Sequence, residues 1–240
     1  MNPGWAWYPS LEMCDTSHLS LEFLTKKADG MLLYNGPMTT PEPEETLITD
    51  FISLELDAGN PRLLIDFGSG TLELKLKPPR RLDDGDWHRI DVFWDTENVR
   101  MVLDLCRFAP IYEPEDGSTA VFNSTSCEVK GKVPPFNEYL DVNAPLQIGG
   151  VSHGALERSH YNWDHLPHGK GFNGCIRNLI HNSKVSVDLN FMSIHSFIFF
   201  FFHFFYRSTI WRNRACGKEV NPDVHLWTSC APEMKYPVRE

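Results

Sequence analysis

DGDWHRIDVFWDTENVRMVLDLC, residues 84–106, reads as two strands with a turn between them. Ile90, Val92 and Trp94 alternate with Arg89, Asp91 and Asp95. A period of two, apolar on one face and charged on the other, marks a half-buried strand. The strand opens after a glycine turn with Asp86-Trp87-His88-Arg89. Trp87 is expected to close one end of the core, with His88 pointing the other way.

The same alternation recurs on either side. LSLEFL (19–24) and GMLLYNG (30–36) flank the turn residues Ala28-Asp29-Gly30, and Ile52, Leu54 and Leu56 share a face in FISLELDAG (51–59). RLLIDFGSG leads into TLELKLK (71–77), where Leu72, Leu74 and Leu76 oppose Glu73 and Lys75. Short strands divided by Gly, Asn, Asp and Pro predict an all-β antiparallel jelly-roll sandwich. No long stretch carries a helical period, and no repeat of solenoid length is present. Two long connections, Pro37–Thr49 and Arg107–Asn137, are too polar for core strands and are expected on the surface.

Charge divides the chain near residue 190. Residues 1–189 carry 16 of the 22 basic and 28 of the 32 acidic side chains, so the body is strongly acidic. That excludes nucleic acid as a partner, because phosphate contacts need clustered Lys and Arg. The start, MNPGWAWYPSLEMC, has neither the basic residues nor the apolar stretch of a signal peptide, which fits a cytosolic chain or a piece of a longer one. Six cysteines without a CxxC pair disfavour structural zinc and suit disulfides. Cys106 and Cys127 are expected to bridge, closing a loop too polar to pack itself; in the chain-entropy description a loop of about 20 residues gains roughly 3 kcal/mol. Asn123-Ser124-Thr125 in that loop is the single glycosylation sequon, which together with the cysteines points to an extracellular setting.

FIFFFFHFF, residues 197–205, raises the question of a membrane anchor. Its uncharged surroundings, Asn190 to Tyr206, are short of the about 20 residues a span needs and include His195 and His203. Homopolymeric Phe is what translation of a pyrimidine-rich tract gives. Residues 190–240 are therefore expected to lie outside the native fold, and the run is expected not to be an anchor.

No catalytic constellation stands out. There is no GxSxG, and Gly68-Ser69-Gly70 has no following Lys-Ser/Thr, so it is a turn and not a phosphate loop. His153, His160, His165 and His168 crowd one segment; Pro167 forbids a helix there and no Cys completes a tetrahedral set, so solvated loop histidines are expected. A glycosidase would need two carboxylates facing a cleft. Glu55-Leu56-Asp57 has the spacing, but its carboxylates alternate with Ile52, Leu54 and Leu56 and are expected to form the wet face of a half-buried strand.

Four stretches in order, LSLEFLTKKADGMLLYNG, DFISLELDAGNPRLLIDFGSG, DGDWHRIDVFWDTENVRMVLDLC and PLQIGGV with GFNGCIRNLIHNSK, resemble a laminin G-like domain over about residues 5–189. The loops CRFAPIYEPEDGSTAVFNSTSC and HYNWDHLPHGKGFNGC resemble the first such domain of neural cadherins of the invertebrate type. The resemblance implies a curved sandwich of about 13 or 14 strands, set among EGF-like and cadherin modules on the extracellular side of a plasma-membrane adhesion receptor. Its function would be non-catalytic binding of a protein or glycan, or spacing; the alternative parent is a neurexin-like or matrix protein. In Gly171-Phe172-Asn173-Gly174-Cys175 the glycines allow close approach of chain to sheet and Phe172 packs inward. In the family the cysteine of that motif pairs with one beyond the final strand; Cys216 is the nearest candidate for Cys175, with Cys230 also open. The family also implies one rim Ca2+ held by Asp50 and Asp141, with carbonyls near Phe67 and Tyr139.

Overall fold

β7 (Trp87–Trp94) and β8 (Asn98–Leu103) pair as the expected hairpin, in register from Ile90↔Leu103 to Trp94↔Val99. Asp95 Oδ1 accepts the amides of Glu97 and Asn98 at 2.8 and 2.7 Å, which closes the turn. The structure, a computed structural model, describes residues 6–11, 16–38, 49–108, 111–112, 121–122, 126–134, 140, 142, 144–151, 161, 163–182, 184–187 and 192–193. Asn123, Tyr139, Asp141, His153, His160, Cys216, Cys230 and the run 197–205 lie outside them.

Around the hairpin stand β1 (Ala6–Tyr8), β2 (Ser17–Thr25), β3 (Gly30–Asn35), β4 (Phe51–Asp57), β5 (Asn60–Asp66), β6 (Thr71–Lys75), β9 (Ile111–Tyr112), β10 (Val121–Phe122), β11 (Glu128–Lys132), β12 (Leu146–Ile148), β13 (Gly174–His181), β14 (Lys184–Val187) and β15 (Met192–Ser193). One antiparallel sheet runs β11-β8-β7-β2-β13-β14, with β15 also on β13; the other runs β1-β12-β3-β4-β5-β6. β9 and β10 form a separate small pair. A 3-10 turn, Asp104–Cys106, follows β8 directly. The all-β antiparallel sandwich expected from the alternation is the fold observed.

The core lies between the two sheets. Leu19, Leu21 and Phe23 of β2, Ile90, Val92 and Trp94 of β7, and Val99, Met101 and Leu103 of β8 meet Ile52, Leu54 and Leu56 of β4 there. Burying one such side chain contributes about 1.5–3 kcal/mol, so the alternation itself fixes which way each strand faces. Two irregularities let neighbours break the period. A register shift between Met31 and Leu33 turns both Leu32 and Leu33 inward, and one between Arg177 and Ile180, where Asn178 has φ 53°, brings Ile176 and Leu179 to the core.

Three expectations are corrected. His88, level with Phe23 and in parity with Ile90, faces inward, its ring 5.8 Å from that of Phe23, while Trp87 faces outward beneath the Arg177 guanidinium at 3.8 Å. The Ser53–Glu55 face of β4 is not wet. Met31, Tyr34, Phe51 and Leu64 on that side form a second apolar cluster with Tyr161 and Trp163, which cover the sheet from outside. His168 is not solvated: its Nε2 lies 2.8 Å from the Leu56 carbonyl oxygen, and its backbone amide donates to Glu55 Oε2 at 3.1 Å.

Candidate functional site

The rim at the start of β4 and the end of β5 carries two of the expected cation ligands, Asp50 and Phe67. Phe51 pairs with Asp66 as the last rung between these strands, so Asp50 and Phe67 stand side by side one step beyond it. Asp66 shapes the turn that follows: Oδ1 accepts from the Gly68 amide and Oδ2 from Thr71 Oγ1, both at 2.7 Å. Through these two bonds Asp66 holds the turn that begins at Phe67. Asp50 is buried, as is the Phe67 side chain, which belongs to the core.

The approach to β12 reaches the same rim. Asn35 Nδ2 donates to the Ala144 carbonyl at 2.7 Å, and Ser10 Oγ donates to the Val142 carbonyl at 2.9 Å. Leu140 is buried in the core. The structure thus brings Asp50 and Phe67 together and holds Leu140, Val142 and Ala144 by the contacts just given, while Tyr139 and Asp141 lie outside the described residues. A carboxylate and a carbonyl are the oxygen donors a hard cation takes. Among the described residues, no three His, Cys, Asp or Glu side chains converge on a point that could hold a metal.

Behind the rim, the carboxylates with glycosidase spacing are consumed by an ion network. Arg62 donates through Nη1 to Glu55 Oε1 at 2.6 Å and through Nε to Glu73 Oε1 at 2.7 Å. Glu55 is fully buried, and its other oxygen takes the His168 amide. Partial burial pushes the Glu73 carboxyl up, but the bonds and charges of Arg62 and Lys75 outweigh it and hold the group below its ordinary range. Asp57 lies 3.6 Å from Lys75 at the surface. Glu55 and Asp57 therefore do not face a common cleft: one is a buried clamp for the 163–170 segment, the other a solvent-facing partner of Lys75. His165, half exposed, comes within 4.0 Å of Glu73 and makes no metal set with His168.

The sequence reading missed the outer face of the seven-stranded sheet. His18 stacks on Phe93 with centroids 4.2 Å apart and planes 5° from parallel, and Arg100 lies over the same ring at 4.3 Å. This row borders an open groove of about 730 Å³ that Asp95, Lys130 and Asn182 also line. The outward parity of Trp87 and Phe93 with Arg89 and Asp91 was the available signal. Cys106 and Cys127 are joined as expected, with Cα atoms 5.2 Å apart. Cys175 is also disulfide-bonded, to a partner outside the described residues.

Comparison with known proteins matches this geometry to one family. Residues 23–184 match the family described as Laminin G domain. The chain is 63% identical over 182 residues to Neural-cadherin of Drosophila melanogaster, covering 76% of this chain and 6% of that protein. It is 59% identical over 181 residues to Putative neural-cadherin 2 of the same organism, covering 75% of this chain and 10% of that one. Among solved structures, the LG1-3 region of the laminin alpha2 chain superposes with a TM-score of 0.53 at 22% identity, covering 75% of this chain and 30% of that chain. The chain thus spans a small fraction of the relatives it matches, and that fraction is the sandwich; it belongs to the laminin G domain family.

Proposed function

We infer that the chain is a non-catalytic binding and spacer module of a cadherin-type adhesion receptor, displayed on the extracellular side of the plasma membrane. The observation that carries this reading is the 63% identity to Neural-cadherin over the region that forms the sandwich. The chemistry supports it. Glu55 is held in a buried ion pair with Arg62 and Asp57 faces Lys75 at the surface, and an open sheet face remains for a protein or glycan partner. EGF-like and cadherin modules are the expected neighbours in the parent chain, and Asn123 is the expected glycan attachment point. A calcium ion at the rim, held by the carboxylates of Asp50 and Asp141 and carbonyls near Phe67 and Tyr139, would fix the loops in one geometry; the adjacency of Asp50 and Phe67 supports it.

The test is a graft. Residues 5–189 replace the matching segment of Drosophila Neural-cadherin displayed on non-adherent cells. Surface delivery and aggregation equal to the parent are expected. Normal delivery with lost aggregation overturns the reading, as does turnover of any glycoside by the isolated chain.

A further inference from the structure

Asp104, Leu105 and Cys106 form three consecutive non-glycine residues in left-handed backbone, with φ of 50°, 52° and 58°. Side chains resist this region because Cβ crowds the following carbonyl oxygen, and a run of three holds only where its surroundings impose it. Four restraints do so here. Asp104 Oδ1 accepts the Arg89 amide at 2.7 Å, and Asp104 Oδ2 lies 2.9 Å from His88 Nδ1. The Leu103 amide donates to the Cys127 carbonyl at 2.8 Å, and the disulfide ties Cys106 to Cys127. The turn also keeps two large apolar side chains in water, Leu105 at 50% and Phe108 at 78% exposure. Strain and apolar exposure thus coincide in one disulfide-bound turn. Cys175 sits instead in a regular stretch of β13, paired opposite Leu24 of β2.

We propose that Cys106–Cys127 is a reducible modification site, opened by a dithiol reductant of the thiol-oxidoreductase class while the sandwich stays folded. Strained disulfides are the labile ones, and the strain here is in the backbone that the bridge holds. Attack has one direction. Cys106 is half-buried between exposed residues, whereas Cys127 is 5% exposed. A reductant thiolate attacks Cys106 Sγ and forms a mixed disulfide as Cys127 leaves as the thiolate and takes up a proton. The second thiol of the reductant then displaces Cys106 as thiolate, which is protonated in turn. Two electrons and two protons pass to the protein, and the reductant leaves as its own disulfide. Arg107, exposed beside Cys106, favours the approach of the anionic sulfur. Opening frees residues 107–126 from their tether and lets Leu105 and Cys106 leave the left-handed region. β8 and β11 stay paired from Val102↔Glu128 to Asn98↔Lys132.

The whole chain is equilibrated in dithiothreitol buffers of graded potential, alkylated, and mapped by peptide, with far-UV circular dichroism recorded on the same samples. Cys106 and Cys127 are expected to label before Cys175, with the β spectrum intact. Leu105→Gly places at φ 52° the residue that accepts it without penalty, and Leu105→Asn places one that tolerates it. Both substitutions should make the bridge harder to open, Gly by about tenfold in the equilibrium constant. Leu105 is half exposed and belongs to neither buried cluster, so both substitutions leave the core intact. Simultaneous labelling of all three cysteines, loss of the β spectrum on opening, or Leu105 variants as reducible as the parent would each overturn the proposal.

Discussion

His88 Nδ1 and Asp104 Oδ2 meet at 2.9 Å, while His88 Nε2 stands 3.1 Å from Asp84 Oδ1. Both ring nitrogens must carry protons to donate both bonds, so the arrangement is complete only in the imidazolium. Burial pulls the His88 pKa down, but Asp104 and Asp84 outweigh it and leave the group above its ordinary value. A raised folded pKa contributes stability that is full below the unfolded value of about 6.5 and is lost as pH climbs through the folded one. Urea midpoints should therefore fall across that alkaline-going window. His88→Gln should flatten this dependence and cost about 1–3 kcal/mol at the acid end. A variant with the parent's pH profile would show that the pair does not couple to folding.

Glu55 is the second place where a buried charge carries predictable weight. Glu55→Ala leaves Arg62 with the Glu73 carboxylate and the Leu166 carbonyl, and strips the His168 amide of its acceptor. Breaking a buried pair by removing one partner costs about 3–5 kcal/mol, and Glu55→Gln, which keeps an acceptor in place, should cost less. Guanidinium denaturation gives the magnitude. Trp163, which seats on Phe51 with centroids 4.1 Å apart, should report the loosened cover by a red-shifted emission.

Gly174 opens β13 against Thr25 of β2. A Cβ there would collide with the Leu24 carbonyl oxygen and press on the Phe172 ring. Backbone cannot give way as a flexible side chain can, so Gly174→Ala should destabilise by about 3 kcal/mol, the upper part of the overpacking range. Gly70→Ala is the contrast, since its nearest neighbours stay beyond 3.5 Å but its φ of 135° strains any side chain; its cost, about 1–3 kcal/mol, is conformational alone. Thermal unfolding of the two variants side by side separates steric from conformational cost.

Calcium at about 1 mM should stabilise residues 1–189 by only ~0.4–1.4 kcal/mol if the rim binds with the 10⁻⁴–10⁻³ M affinity of extracellular modules. That corresponds to a rise in Tm of about 1–5 °C. Scanning calorimetry with calcium and with chelator measures it, and Asp50→Ala with Asp141→Ala should abolish the difference. A double variant that keeps the full shift places the ion elsewhere.

The alternation around Ile90 was enough to orient the β7–β8 hairpin, and it also contained the correct facing of His88. The bulk of Trp87 argued for the core; parity argued for the surface, and parity prevailed because a strand cannot rotate one residue alone. Glu55 was a different failure. Period two tells which face a side chain is on, but not whether that face meets water. The cover of that face comes from Tyr161–His168, more than 100 residues away in the chain, and carries its own polar partners, Trp163 Nε1 to the Thr49 carbonyl and His168 to Glu55. The Cys106–Cys127 bridge was legible because the residues around Cys127 are too polar to bury a lone thiol. The left-handed turn beside it was not, since Asp104-Leu105-Cys106 contains none of the glycines that normally announce one.

The double cover on β4 and β5 also sets a clock for amide exchange. Their amides lie between the core on one side and the Tyr161–Trp163 cluster on the other. No small fluctuation reaches them, so their protons should trade with deuterium only when the whole sandwich opens. Amides of β11, at the edge of the other sheet, can exchange through local fraying. Comparing the two sets in one molecule would read global stability from the first and the looseness of the open side from the second.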